Sequence, residues 1–381
     1  MSSGTDGARF ARALVGASFA LSVLLAVRMA FTSAAYAGLA LVLVAAAALA
    51  FFAIARGRSG PALLLGACNA LFVVPELGLR SAGFRHVSGI QFGYPSAEEF
   101  AEFELDPELF WKLPPDGELV NSWGLFGPEP RIPKPAGTSR IVYLGDSCSQ
   151  QGYPEAWPEV ATSLLASAKA GALDEVNLAL SGYSSHQGRV LAERHLSELD
   201  PDLVVVFFGW NDHWLARGAI DADKHVDLRF EGLYRASRTL QLVRKLTARG
   251  AAPALERPRV PLELYRENLR RIVELATACG ARTLLVTAPS THDLAVPEYL
   301  VARGFVATKE QALRVHAEYN GVVRELASEL DVALCDLELE LRADPQRARY
   351  FLEDGIHFSV EGRRAVAARC VQRVRDEHLL P

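Results

Sequence analysis

Leu203-Val204-Val205-Val206-Phe207-Phe208 runs directly into Gly209-Trp210-Asn211-Asp212. Six apolar residues in a row without alternation do not fit a strand with one wet face. They fit a parallel strand covered on both faces. Outward from it the chain alternates in the same manner. Strands are expected at Arg140–Leu144, Glu175–Leu180, Thr283–Thr287 and Val332–Cys335. Helical spacing is seen at Pro158–Ala168, Gln187–Leu199, Leu262–Cys279, Gln311–Leu330 and Val360–Glu377. Strands alternating with helices predict a parallel α/β sheet with right-handed crossovers, in which ligands collect beyond the carboxyl ends of the strands.

Residues able to do chemistry fall at those ends. The first strand enters Gly145-Asp146-Ser147-Cys148-Ser149, and the loop after the second holds Ser181-Gly182-Tyr183. The decisive strand ends in Asn211-Asp212, and Asp354-Gly355-Ile356-His357 stands just before the last helix. Each block alone arises easily by chance: an N-cap serine, a turn glycine, a turn asparagine, an Asp-Gly turn. Four in this order, each at a strand end or before the closing helix, are not explained by those readings.

Together the blocks resemble the four signatures of the SGNH (GDSL) hydrolases: a GDS serine, a glycine, a GxND asparagine and a DxxH pair. The resemblance covers about 139–381. It implies a three-layer α/β/α, flavodoxin-like domain that cleaves carboxylic esters through an acyl-serine. Ser149 stands where that family usually has threonine, and either hydroxyl can support the turn. Phe126 stands where related membrane-linked proteins usually have a basic residue.

Ester cleavage needs a nucleophile, a base and donors for the developing oxyanion. Ser147, at a strand-to-helix turn, is the expected nucleophile, with unpaired helix N–H groups favouring negative charge beside it. Histidine is the natural base near neutral pH, which selects His357. Asp354, three residues earlier, can turn back to hold the other ring nitrogen and stabilise the imidazolium. By resemblance the oxyanion donors are the backbone N–H groups of Ser147 and Gly182 and the side-chain amide of Asn211. Tyr183, Trp210 and Trp214 are expected to line the cleft, and Asp146 and Asp212 to support turns. Cys148, a rival nucleophile, sits in surroundings that match a serine motif.

The N-terminal third differs in kind. From Ala13 to Ala55 the only charged residue is Arg28. As helix this would run about 65 Å, roughly twice a bilayer core. Two crossings are expected, about 11–31 and 35–55. A third apolar run, 61–74, extends to about Leu79 if it crosses. The alternatives are an interfacial helix for 61–74, and a signal peptide ending near Ala35-Tyr36-Ala37. Three crossings with Arg9, Arg12, Arg56 and Arg58 inside place the C-terminal domain outside the cytoplasm. The division expected is a transmembrane anchor at 1–80, a connecting arm at 81–137 that shapes the mouth of the site, and a catalytic domain at 138–381. Within that domain, residues 213–261 read as an insertion that acts as a lid.

Composition excludes other classes. The net charge of −5 comes without a basic block, so a nucleic-acid partner is not expected. Five cysteines without a CxxC pair give neither a disulfide framework nor a metal motif. His213 beside Asp212 has no spacing to further ligands that fits a metal site. No metal or cofactor is expected. The partners expected are a membrane and a small ester or an acylated glycan or lipid. Acyl transfer to a sugar hydroxyl and a catalytically silent glycan-binding membrane module are the alternative functions.

Overall fold

The computed structural model describes residues 75–86, 103–167, 171–224, 226, 228–247 and 254–381, with isolated positions 13, 45 and 48. The apolar runs expected to cross a membrane lie outside these residues. Among the described residues no helix is long and apolar enough to cross one. The chain divides into two compact units: residues 1–89 with 227–250, and residues 90–226 with 251–381.

The larger unit opens with two short antiparallel strands, β1 (Glu104–Asp106) and β2 (Phe110–Lys112). Then come β3 (Thr138–Gly145), α1 (Ser147–Gln150), α2 (Trp157–Ala166), β4 (Ala172–Asn177), α3 (Ser185–Leu199), β5 (Leu203–Phe207) and β6 (Leu215–Arg217). Next in the chain, α4 (Glu231–Ala236) and α5 (Arg238–Thr247) belong to the smaller unit. The larger unit resumes with β7 (Ala254–Pro258), α6 (Leu262–Ala278), β8 (Arg282–Val286), α7 (Glu298–Ala302), α8 (Lys309–Glu329), β9 (Ala333–Cys335), α9 (Leu337–Arg342) and α10 (Val360–Asp376). Its catalytic sheet therefore shares a unit with the connecting arm and not with 227–250.

The sheet has the order β4-β3-β5-β8-β9, and every pairing within it is parallel. All five residues of β5 are buried, which is why its sequence does not alternate. Ile141, Tyr143, Val205 and Phe207 join Trp157, Ala161, Val366 and Cys370 in one core, so α2 and α10 cover that face. The intervening Val142, Leu144, Val204 and Val206 are buried on the other face, where α3, α6 and α8 pack in sequence. Each strand thus delivers its carboxyl end to one rim while its side chains secure both layers.

Most expected elements are present within two residues at their ends. The exception is β4, which lies at Ala172–Asn177 and not at Glu175–Leu180. An edge strand is defined by its one neighbour, and pairing of Thr138–Tyr143 with Ala172–Asn177 sets the register. Leu178, Ala179 and Leu180 are buried as a loop that leads to Gly182, so their apolarity reports burial and not strand.

The start of β3 is held by a buried charge. Arg140 is fully buried and donates to Asp174, to the Leu199 carbonyl and to the Arg131 carbonyl. A buried guanidinium is tolerable only when paired and fully hydrogen-bonded.

Candidate active site

Three of the blocks reach the same rim. At the first, Asp146 caps α1: its carboxylate accepts the Cys148 N–H at 2.9 Å and is itself completely buried. Burial pushes Asp146 up to about 6, against the pull of the Cys148 N–H and of His357. Ser147 is left half-buried at the head of the turn. Gly145 is required here, because a Cβ would lie 2.6 Å from the Ser149 hydroxyl.

The last block brings His357 over it. His357 Nε2 lies 2.8 Å from Ser147 Oγ, and its Nδ1 lies 2.6 Å from an Asp354 oxygen. The other Asp354 oxygen accepts the N–H groups of Ile356 and His357, each at 2.9 Å. Burial opposes the charge on Asp354. The hydrogen bond and charge of His357 and these two N–H groups outweigh it and hold its pKa below the usual carboxylate value. His292 Nε2 donates to the Asp354 carbonyl at 2.8 Å, so that nitrogen carries the proton. Gly355, with φ of 69° and Thr291 crowding it, makes the turn that brings aspartate and histidine together.

Cys148 points the other way. It is buried, its thiol contacts the Ile356 carbonyl at 3.7 Å, and burial raises its pKa well above the thiol norm. A thiol so placed lacks both the thiolate character and the exposure of a nucleophile.

Ser147, Gly182, Asn211, Trp210, Trp214 and His357 share a cavity of about 530 Å³, a size typical of ligand sites. Gly182 has φ of 80°, a conformation that suits glycine. Asn211 is oriented by donating to the Tyr183 carbonyl at 3.0 Å. Its Nδ2 also lies 3.4 Å from the second Asp146 oxygen, a long contact that a ligand oxygen in the cavity would compete with. Asn211→Ala is expected to lower kcat by about a hundred- to a thousandfold with little change in KM. Steady-state kinetics check this, and an unchanged kcat removes Asn211 from the chemistry.

Tyr183 does not line the cleft as expected. It is fully buried, and its hydroxyl donates to the Trp111 carbonyl at 2.8 Å. The ring contacts Trp111, whose indole N–H donates to the Ser181 carbonyl at 3.2 Å. An aromatic beside a site glycine reads as a wall from sequence; here it ties the Gly182 loop to the connecting arm. The arm is fastened further by Asp106, paired with Arg194 at 3.0 Å.

The insertion at 213–261 supplies Trp214 to the cavity, while Tyr299, Leu300, Arg303 and Phe305, in and after α7, form much of its wall. Their segment carries no motif, and nothing in its composition singles it out. Arg259, which sequence reasoning misses, braces the Gly182 loop. It is buried, pairs with Asp221 at 2.8 Å and donates to the Gly182 carbonyl at 2.9 Å. Burial works against the Asp221 charge, but Arg259 and Lys224 hold its pKa down to about 2. Among the described residues no group of His, Cys, Asp and Glu is arranged to hold a metal ion.

Asp212 supports the α3 start, accepting the Ser185 N–H at 2.9 Å, while its second oxygen is buried without a hydrogen-bond partner. Burial pushes Asp212 up to about 7, opposed by Ser185 and Arg259. A carboxyl raised in the folded state penalises folding where the unfolded chain is ionised. That penalty is absent below about pH 4, grows as pH rises toward 7 and is constant above it. Asp212→Asn keeps the acceptor without the charge. It is expected to stabilise the fold at pH 8 on the order of 1–4 kcal/mol, and not at pH 4. Denaturant melts at the two pH values check this; equal stability of variant and wild type at pH 8 contradicts it.

A line of carboxylate, imidazole and hydroxyl at the carboxyl ends of a parallel sheet, facing an open cleft, fits a carboxylic ester hydrolase. More particularly, the chain belongs to the GDSL-like lipase/acylhydrolase family, whose model matches residues 143–365. It is similar to an isoamyl acetate-hydrolyzing esterase 1 homolog of Mus musculus, 24% identical over 233 residues, covering 58% of this chain and 76% of that one. Among solved structures it resembles a lipase/acylhydrolase from Enterococcus faecalis, with a TM-score of 0.43 and 18% identity, covering 63% of this chain and 96% of that one. An acetylxylan esterase from Geobacillus stearothermophilus gives a TM-score of 0.40 at 16% identity, covering 62% of this chain and 94% of that one.

Proposed function

We propose that the chain hydrolyses a carboxylic ester through an acyl-serine intermediate at Ser147, with His357 as base and Asp354 as its orienting carboxylate. The observation that carries this is the continuous line Asp354–His357–Ser147, at 2.6 and 2.8 Å, ending in the cavity. As Ser147 Oγ attacks the ester carbon, its proton passes to His357 Nε2. The carbonyl electron pair becomes an oxyanion held by the N–H groups of Ser147 and Gly182 and the amide of Asn211. Its collapse expels the alkoxide, which takes the proton from His357. A water then attacks the acyl carbon as its proton passes to the same nitrogen; collapse breaks the bond to Ser147 Oγ, which takes that proton back from His357, and the acid leaves.

The substrate proposed is an ester of a small acyl group on a glycan or lipid. The mouse relative is named for acetate-ester hydrolysis, which supports a short acyl chain. The apolar runs at 11–31, 35–55 and 61–74 support a membrane anchor, with the catalytic unit on the extracytoplasmic side. Product analysis with p-nitrophenyl acetate and an excess of oligosaccharide tests the reaction. Free acetate is expected to dominate. Acetylated sugar as main product means acyl transfer, and no turnover means a silent binding module.

A further inference from the structure

Helices α4 and α5 are turned inside out relative to a water-facing helix. A surface helix ordinarily buries its apolar stripe and shows its polar one to solvent. In α5 the buried side is polar. Gln241 is buried, accepts the His86 N–H at 3.0 Å and donates to the Tyr234 carbonyl at 2.8 Å. Arg244 pairs with Glu231 at 3.1 Å and lies over the Tyr234 ring. Large apolar side chains stand outward among exposed Arg235 and Lys245: Leu246 is 75% exposed and Val243 51%, with Phe230 at 59% and Leu233 at 48%.

This arrangement is anchored to the chain at the end of the third apolar run. Helical residues 75–81 follow the run 61–74 directly. Within them Glu76 is completely buried and caps α5, accepting the Arg238 and Thr239 N–H groups at 2.9 and 2.8 Å and the Ser237 hydroxyl at 2.9 Å. Three backbone and hydroxyl donors and Arg80 at 2.8 Å satisfy the carboxylate. Glu76 therefore fixes α5 to the chain just after the third apolar run. Charge agrees: residues 228–247 contain Arg229, Arg235, Arg238, Arg244 and Lys245 against the one acid Glu231. Exposed apolar side chains on a basic helix are the composition of an element lying in a membrane interface.

We propose that Phe230, Leu233, Val243 and Leu246 insert into the surface of an anionic lipid bilayer, so that α4 and α5 form a membrane-surface foot beside the anchor. The inference rests on reading residues 11–74 as that anchor. Such a foot attaches the smaller unit to the membrane at a second point, 161 residues along the chain from Glu76.

The test uses the full-length chain in vesicles of phosphatidylcholine with phosphatidylglycerol. Leu246→Cys carries a polarity-sensitive fluorophore, with Cys68 and Cys279 replaced by serine; Leu339→Cys, exposed on α9, is the control. The probe at 246 is expected to shift to shorter wavelength and to be quenched at least about twofold by brominated lipid, as contact with an interface a few ångströms deep requires. The probe at 339 is expected to do neither, and omitting phosphatidylglycerol is expected to weaken the effect at 246. A blue shift without bromine quenching means that protein, such as a second copy, covers the patch, and overturns the proposal. Absence of quenching in a chain that resists carbonate extraction overturns it while the anchor stands. Absence of quenching in a chain that carbonate strips away overturns both.

Discussion

Ser147→Ala is expected to reduce ester hydrolysis by on the order of 10⁶-fold, to the background left by the oxyanion donors and binding. The hydroxyl is the only group on the rim within hydrogen-bond reach of His357 Nε2, at 2.8 Å, among the contacts the structure shows. Its removal leaves the α1 cap intact, because Asp146 and not Ser147 holds the first N–H groups. The melting temperature should therefore stay near wild type, which separates loss of chemistry from loss of fold. A fluorophosphonate should label wild type at Ser147 and fail on the variant. Labelling at Cys148 would falsify the serine assignment, and it would require a buried, high-pKa thiol to outcompete a half-buried hydroxyl that lines the cavity.

His357→Ala should cost kcat about as much, on the order of 10⁴- to 10⁶-fold, since the serine proton then has no acceptor. Asp354→Asn should cost less than His357→Ala, up to about 10⁴-fold. It keeps an oxygen for the Ile356 and His357 N–H groups but loses the charge that stabilises the imidazolium. Added imidazole should partly restore His357→Ala if the cavity admits it, and should not restore Ser147→Ala. Equal kcat for Asp354→Asn and wild type across pH would mean that another group orients His357. Because the pKa of Asp354 is held below the usual carboxylate value, it stays charged as pH falls into the acid range. Its support of His357 should be lost only below that range.

The site was legible in proportion to how local its causes are. The meeting of Ser147, Asp354 and His357 was legible because each lies in a short block whose turn chemistry is written in neighbouring residues: Gly145 before the serine, Gly355 between aspartate and histidine. Tyr183 was misread because its direction depends on Trp111, over seventy residues earlier in the chain. Arg259 escaped notice for the same reason, since its partners Asp221 and Gly182 come from separate loops. The cavity wall at Tyr299, Arg303 and Phe305 has no local signature at all.

By itself the sequence determined the parallel α/β class, through runs such as Leu203–Phe207 that must be covered on both faces. It also determined the order of the four blocks and the residue types able to carry the chemistry, because hydropathy period and turn formation act within a few residues. Only the tertiary structure decided the register of β4, the direction of Tyr183, the pairing of Arg259 and the outward turn of α5. Each of these is a choice between burial and exposure, or between partners, made by groups distant in the chain. A side chain's own preference states that it needs a partner; the packing of the other elements decides which one it meets.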